Sequence, residues 1–186
     1  MTLRRATIVT MCALTAAVLL AAVLVGQFLM LPSFARLEKE QSYTNGERVI
    51  SILSREIDAL EGTTTDWAYW DDTYEFIGDL NVDYLDSNLT FTTFVSLNVD
   101  TILLIDTGGK IAISRTYDFT KNEFTELPAG LADLLEKDTM LTSPTSQDNP
   151  VSGIIRLPKG PMIISSCAIL KSDRTGPSRG FLMMAR

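Results

Sequence analysis

The residues most able to do chemistry lie between Asp66 and Phe76, where aromatic rings and carboxylates are interspersed over eleven positions. On a single helix, Trp67, Trp70 and Tyr74 would share one apolar stripe, with the acids on another part of the surface. Such rings can wall a pocket that stacks on an apolar or cationic ligand, with nearby carboxylates attracting the cation. They can equally be core residues that dock a helix on a sheet. The candidate ligand-binding residues of this aromatic segment are Asp66, Trp67, Trp70, Asp71 and Tyr74.

A second candidate pair, Arg115 and Tyr117, lies in a predicted strand. A period of two places both side chains on the same face as Ile111 and Ile113, in line with core residues. An arginine on the buried side needs a carboxylate, either from a ligand or from one of the three aspartates of the aromatic segment. We favour the internal salt bridge, because an unpaired buried charge is costly before any ligand arrives.

Catalysis and metal binding are not expected. Asp71 and Asp72 are adjacent, so on a helix their side chains point about 100 degrees apart and do not converge on one bond. The same pair lacks the alternating oxygen ligands of a calcium loop. The run Ser165-Ser166-Cys167 has no accompanying base, and the absence of histidine excludes zinc sites and Ser-His-Asp chemistry in their ordinary forms. We expect no catalytic residue, no metal and no cofactor.

Charge and cysteine placement exclude two further features. The formal net charge is −7 and every acidic residue lies beyond Leu31, so the phosphates of a nucleic acid would be repelled. Cys12 lies in an apolar run and Cys167 lies near the end of the chain. A bond between them would join a membrane-buried sulfur to a folded soluble one, so we expect no disulfide.

Residues 6–31 carry no charge and predict a transmembrane helix. A helix of this length spans about 39 Å, against roughly 30 Å of hydrocarbon. The alternative, a cleaved secretory signal, has an apolar region of only about 7–15 residues and ends in a small-x-small site, which residues 27–32 do not offer. Arg4 and Arg5 precede the apolar run and acids follow it, which places residues 1–5 in the cytoplasm and residues 32–186 outside.

A long helix is predicted over residues 34–61. Its apolar seam repeats at spacings of three and four and consists of Tyr43, Gly46, Ile50, Leu53, Ile57 and Leu60. The seam either packs on its own domain or pairs two chains. Gly62 and the threonines after it predict a break, with a threonine capping a separate helix that contains the aromatic segment.

Residues 63–186 predict the core of the domain. After a short helix near residues 84–97, strands are predicted at 99–106 and 110–119 around a Gly108-Gly109 hairpin turn. A helix at 128–137 and strands at 153–157, 161–170 and 180–186 follow. The predicted fold class is α+β, with one five-stranded antiparallel sheet and helices on one face.

The aromatic segment resembles the Asp-Trp-x-x-Trp-Asp-Asp-Thr-Tyr motif of the fourth of the CHASE families, which are extracytoplasmic sensor domains named for their association with cyclases and histidine kinases. The resemblance is carried by Asp66, Trp67, Trp70, Asp71, Asp72, Thr73 and Tyr74, and continues through Phe76, Asn81, Tyr84, Asn88 and Leu89. It extends to the 106–110 turn, to Tyr117-Asp118, and to the Gly176-Pro177 turn before Gly180. Ala168 departs from the family pattern, in which a proline commonly precedes the Ile-Leu pair.

This resemblance implies a PAS/Cache-like sensor domain between two transmembrane helices, with a cytoplasmic diguanylate cyclase, cyclic-di-GMP phosphodiesterase or histidine kinase as output. The expected function is an extracytoplasmic ligand-sensing input domain, with any enzyme activity in a following domain. The expected partners are a small-molecule ligand of unknown identity, the inner (cytoplasmic) membrane and a second copy in a homodimer. The alternative is a membrane-anchored periplasmic binding or interaction domain without signalling output.

Overall fold

The computed structural model describes residues 3–27, 31–137, 139–142 and 149–186. The chain divides into two compact units, Met1–Ile52 and Leu53–Arg186. The helices are α1 (Leu3–Val25), α2 (Leu31–Ala68), α3 (Asp71–Asp79), α4 (Val82–Asn88), α5 (Phe91–Leu97), α6 (Leu131–Lys137) and α7 (Thr139–Thr142). The strands are β1 (Thr101–Asp106), β2 (Ile111–Asp118), β3 (Glu123–Thr125), β4 (Val151–Leu157), β5 (Gly160–Ala168) and β6 (Gly180–Ala185).

The first unit contains α1 and the first part of α2. Within α1, Thr7–Val25 has a mean hydropathy of 2.7 and is long and apolar enough to cross a membrane. Its described side chains are exposed in the isolated chain, as expected for a helix whose apolar surface belongs in lipid.

Helix α2 extends seven residues past the predicted end at residue 61, to Ala68. The predicted break was wrong because the threonines that follow Gly62 are absorbed into the helix. Thr63 Oγ1 donates to the carbonyl oxygen of Ala59 at 3.0 Å, and Thr64 Oγ1 donates to that of Leu60 at 2.8 Å. A hydroxyl that bonds back to the preceding turn is compatible with the helix interior and is not available as a cap.

The chain breaks instead between Ala68 and Asp71, inside the aromatic segment. Trp70 has extended backbone angles, φ −95° and ψ 130°, and is the residue before α3. Trp67 therefore lies at the end of α2, while Tyr74 lies in α3. The predicted single helical stripe was wrong because one extended residue turns the two halves of the segment apart.

The sheet has six antiparallel strands in the order β3-β2-β1-β6-β5-β4. The five predicted strands and the β1–β2 hairpin are confirmed, and β3 is an additional edge strand. It has only three residues and pairs Phe124 with Tyr117 after a turn in which Asn122 adopts φ 60°. A segment this short shows no alternation from which a strand could be predicted.

The larger helices cover one face of the sheet, as predicted, and two short helices cover part of the other face. Helices α2 to α5 cover one face and form the first core, which includes Leu60, Phe76, Phe94, Ile102, Leu104, Leu182 and Met184. The short helices α6 and α7 pack against the opposite face and form the second core, which includes Leu103, Ile105, Leu131, Leu135, Leu141, Ile164 and Met183. Strands β1 and β6 contribute alternate residues to each core, so they are the central buried layer of the fold.

Gly180 is a point where these central strands leave no room for a side chain. It begins β6 with φ 151°, and a Cβ there would overlap the carbonyl oxygen of Ile105 on β1. We expect Gly180→Ala to destabilise the protein by about 2–4 kcal/mol, seen as a fall of order 10 °C in Tm of the purified anchored chain. Gly153→Ala is the matched control, because a Cβ at Gly153 meets nothing within 4 Å. An equal effect of the two substitutions would contradict this account.

Candidate functional site

The rings of the aromatic segment pack against one another and against α4. Trp67 and Trp70 meet edge to face, with ring centroids 5.8 Å apart, and Trp70 lies 6.2 Å from Tyr84. Phe76 stacks on Tyr84 at 4.2 Å, and the hydroxyls of Tyr84 and Thr73 lie 2.8 Å apart. Burial raises the pKa of Tyr84 to about 12, although the Thr73 hydrogen bond acts in the opposite direction. These contacts are those expected of rings that dock a helix, although Trp70 remains 37% exposed.

The polar residues of the same segment hold the loop that leads into β6. We call residues 171–179 the return loop. The Asp71 carboxylate accepts hydrogen bonds from the backbone N–H and hydroxyl of Ser172, at 3.0 and 2.8 Å. The Arg179 guanidinium lies 4.2 Å from the centroid of the Tyr74 ring and donates to the Tyr74 carbonyl oxygen at 3.1 Å. Asp71 and Tyr74 therefore tether the return loop to α3.

Asp66 stands apart from this arrangement because its side chain is exposed on α2. The structure thus brings Trp67 and Trp70 together, and separately brings Asp71 and Tyr74 to the return loop. None of the five lines the cleft described below.

Arg115 has a partner that was not predicted. Its guanidinium carbon lies 5.0 Å from the centroid of the Phe124 ring on β3. The structure describes Arg115 and all three aspartates of the aromatic segment, and it contains no ion pair between them. The favoured internal salt bridge was wrong because the unpredicted strand β3 presents an aromatic face to the guanidinium, a contact that suits arginine.

Tyr117 lies on the predicted face of β2, in the first core with Ile113. Its hydroxyl donates to Asn122 Oδ1 at 2.7 Å, and its ring lies among those of Phe91, Phe94, Phe119 and Phe124. Of the seven predicted site residues, Tyr117 is the one that lines the cleft described next.

The cleft opens at the end of the sheet where β1 begins, and has a volume of about 660 Å³. Thr116 and Thr125 line part of the cleft. Together with Thr101 they form a row across β1, β2 and β3, which we call the threonine row. Thr101 and Thr116 are buried, and their hydroxyls lie 3.1 Å apart. The apolar part of the wall comes from Phe119, Leu127, Pro128, Ala129, Leu157 and Met162. Both its size and its mixture of apolar and convergent polar groups are typical of a small-molecule site.

The charged groups of the cleft are Asp100, Asp118, Lys121, Glu126 and Lys159. Burial raises the pKa of Asp100, and the neighbouring charge of Asp118 raises it further, whereas Arg186 lowers it. The pKa of Asp118 is lowered, chiefly by the hydrogen bond from the Thr120 hydroxyl and also by the Lys121 backbone N–H. The two neighbouring carboxylates are therefore in opposite situations, one stabilised as an anion by its donors and one not.

The cleft is connected to α2 through the end of β6. The Asp100 backbone N–H donates to the carbonyl oxygen of Ala185 at 2.8 Å. The next residue, Arg186, places Nη2 2.8 Å from Glu56 Oε2 and donates to the Glu56 carbonyl oxygen as well. Its Nε is buried and has no hydrogen-bond partner among the described residues. A carboxylate in the cleft and a carboxylate on α2 thus flank one arginine.

Sequence reasoning missed the cleft residues Asp100, Thr116, Thr125 and Lys159. The available signal was the occurrence of threonine at strand positions whose neighbours are core residues, because a polar residue on a buried face is the informative observation. That signal identifies a polar spot in one strand, and the sheet order alone brings the three threonines together.

The tether at Asp71 gives a test of the structural role of the aromatic segment. The Ser172 hydrogen bonds lower the pKa of Asp71, so the contact contributes to stability above the ordinary value of 3.8 and is lost as the pH falls through the lower folded value. We expect Asp71→Ala to speed amide hydrogen exchange in the return loop by about tenfold at neutral pH. The adjacent, exposed Asp72 supplies the control, Asp72→Ala. Unchanged exchange at Ser172 in the Asp71 variant would rule out the tether.

The known proteins to which this chain is similar include one curated relative and two solved structures. The methanogenesis regulatory histidine kinase FilI of Methanothrix harundinacea (strain 6Ac) is 27% identical over 158 residues, which are 85% of this chain and 18% of the relative. The extracellular domain of a protein described as a histidine kinase matches 78% of this chain and 57% of its own, with a TM-score of 0.52 and 12% identity. A domain of a sensory box/GGDEF family protein from Vibrio parahaemolyticus matches 78% of this chain and 60% of its own, with a TM-score of 0.50 and 11% identity.

The present chain therefore corresponds to under a fifth of the curated relative and to somewhat more than half of each solved chain. The two structures share its fold. The model of the CHASE4 domain matches residues 52–186, from within α2 to the end of β6. The chain belongs to the CHASE4 family and is an extracytoplasmic sensing input domain of a signalling receptor.

Proposed function

We propose that the domain senses a small molecule that binds in the cleft beside the threonine row, and that the bound state is read out through α2. The observation that carries this proposal is the position of Arg186. Its guanidinium binds Glu56 of α2, and the preceding residue, Ala185, accepts a hydrogen bond from the backbone N–H of Asp100 in the cleft. A sensor needs a physical link between its ligand site and the helix that leads to the membrane. Here that link consists of the Arg186 side chain and the end of β6.

The transmission step is a competition for the arginine. In the structure the Arg186 guanidinium is hydrogen-bonded to Glu56, and its positive charge also acts to lower the pKa of Asp100. A ligand that changes the charge at Asp100 changes the balance between these two carboxylates. The free energy that can be transmitted is limited to the difference in the ligand's affinity for the two arrangements.

The proposed receptor is a homodimer paired through the upper part of the α2 seam. The lower part of the seam packs on its own domain, because Leu60 is 1% exposed and belongs to the first core. In the upper part, Tyr43 and Ile50 are each 66% exposed. Large apolar side chains at helical spacing and open to solvent favour pairing with the same face of a second copy.

The membrane and output parts of the proposal rest on α1 and on the relatives. Helix α1 is the proposed anchor in the cytoplasmic membrane, with the sensor domain on the outer side, and a second span is proposed to follow the domain. A histidine kinase is the proposed output because the curated relative is one. A diguanylate cyclase or cyclic-di-GMP phosphodiesterase is the second candidate, favoured by the GGDEF name of a structural neighbour.

The Arg186–Glu56 contact provides the test of function. Glu56 is half exposed, so we expect Arg186→Ala to cost about 1 kcal/mol or less of folding stability. We expect the same substitution to reduce the stimulated output of the full receptor by about 5-fold or more, since a broken link removes coupling that is typically 1–3 kcal/mol. Output is measured as autophosphorylation or cyclic-di-GMP turnover. Arg55→Ala, at an exposed arginine beside Glu56, is the control.

A conservative variant sharpens this test. Arg186→Lys keeps a positive charge beside Glu56 and Asp100, so we expect it to retain more output than Arg186→Ala. A receptor that responds normally with Arg186→Ala would contradict the proposed transmission. A folded domain that binds its ligand in a protein without any output would instead support the alternative of an anchored binding domain.

Pairing through the seam is tested by a charge at its centre. Burying a carboxylate in an apolar helix interface is costly, so we expect Ile50→Asp to weaken self-association of the detergent-solubilised chain by at least about tenfold in sedimentation equilibrium. Ile52→Asp is the matched control, because Ile52 is also exposed and lies on another face of the helix. Equal dissociation by both variants, or by neither, would exclude the seam as the dimer interface.

A further inference from the structure

We propose that the cleft takes a small organic cation, with its ammonium group at Asp100 and an apolar body along the wall formed by Leu127, Leu157 and Met162. This inference rests on the proposed function for its biological setting, because it names the ligand class of the same cleft. The charged groups around that cleft differ in their hydrogen bonds and ion pairs.

Asp100 is the acidic residue of the cleft whose carboxylate is available to a ligand. It is half-buried at the start of β1, and no hydrogen bond or ion pair to its carboxylate occurs among the residues that the structure describes. Asp118, in contrast, accepts hydrogen bonds at Oδ1 from the Thr120 and Lys121 backbone N–H groups and the Thr120 hydroxyl, and lies 3.9 Å from Lys121 Nζ. A half-buried carboxylate without donors is an acceptor for an incoming cation.

The surrounding charge favours a cation over an anion. Asp100, Asp118 and Glu126 outnumber Lys121 and Lys159 in the lining, and Lys121 is already paired with Asp118. Burial and the charge of Asp118 both disfavour the ionised form of Asp100, so a bound cation relieves an existing penalty. Arg186 does not fill this role, because its guanidinium is bonded to Glu56.

The chemistry of the wall favours an organic cation over a metal ion. No group of three acidic, histidine or cysteine side chains that could hold a metal comes together in the described part of the chain. The lining instead offers aliphatic side chains and the Tyr117 and Phe119 rings, with the threonine row below. Aromatic rings attract cations and also stack on apolar groups. A volume of about 660 Å³ accommodates a ligand of more than ten non-hydrogen atoms.

The experiment compares three probes of nearly equal shape and different charge: phenethylammonium, 2-phenylethanol and phenylacetate. Binding of each to the anchored chain in lipid nanodiscs is measured by calorimetric titration. We expect phenethylammonium to bind at least about tenfold more tightly than the alcohol, and the carboxylate to bind most weakly. Asp100→Asn keeps the size of the side chain and removes its charge, so it should reduce the ammonium affinity about tenfold or more and leave the alcohol affinity unchanged.

Two variants keep the outcome interpretable. Glu126→Gln removes another acid of the same lining and should change the ammonium affinity by less than about threefold. Asp100→Glu retains the charge and should retain the preference for the ammonium over the alcohol. Circular dichroism establishes that each variant is folded. Equal affinities for the three probes, a preference for the carboxylate, or equal losses in the Asp100→Asn and Glu126→Gln variants would overturn the proposal, as would binding of none of the probes.

Failure of this inference and failure of the proposed function are distinguishable. If the ammonium probe binds at Asp100 but the output of the full receptor never depends on Arg186, the ligand class stands and the proposed transmission is wrong. If the output depends on Arg186 while the cleft ignores the charge of the probe, the transmission stands and the ligand class is wrong.

Discussion

The structure depends on the burial of β1 and β6 between two apolar layers. All of β1 up to Ile105 is buried, and β6 is buried at every position except the intermediate Phe181. Because β1 and β6 are antiparallel and pair Thr101 with Ala185, the start of β1 lies beside the end of β6. Asp100 and Arg186 are the residues at that junction, so packing of the central pair by itself brings a cleft carboxylate next to the arginine that holds α2.

The two faces of the sheet are covered unequally, and this inequality produces the cleft. The first face is covered by the lower part of α2 together with α3, α4 and α5. The second is covered by the shorter α6 and α7 and by the connections around them. Beside that shorter cover lies the cleft, which is lined by Thr116, Thr125 and the aliphatic wall. A cleft at the edge of the smaller core can form without removing a side chain from the larger one.

The aromatic segment and the cleft have different roles, although both combine rings with carboxylates. In the aromatic segment the rings pack on one another and on Tyr84, and the Asp71 carboxylate accepts two hydrogen bonds from Ser172. In the cleft, Asp100 is destabilised by burial and has an acidic neighbour. Sites that bind ligands commonly retain such unfavourable charges, because the partner that relieves them arrives from solution. The contacts of the family motif are with the fold and the return loop, whereas the cleft is the ligand site that we propose.

The sequence by itself determined those features that depend on neighbouring residues. The apolar length of α1, the seam of α2, the alternation of five strands and the glycine turn between β1 and β2 are all local patterns, and the family motif is a local string. The same reasoning failed where tertiary contacts override local preference, as at Gly62 and the threonines that α2 absorbs, at Trp70, and at the three-residue strand β3. Only the tertiary structure decided that Arg115 contacts Phe124 and that Asp100, Thr116 and Lys159 line one cleft. Strand order and register bring together residues up to about sixty positions apart. No local period in the sequence encodes which of those residues will meet.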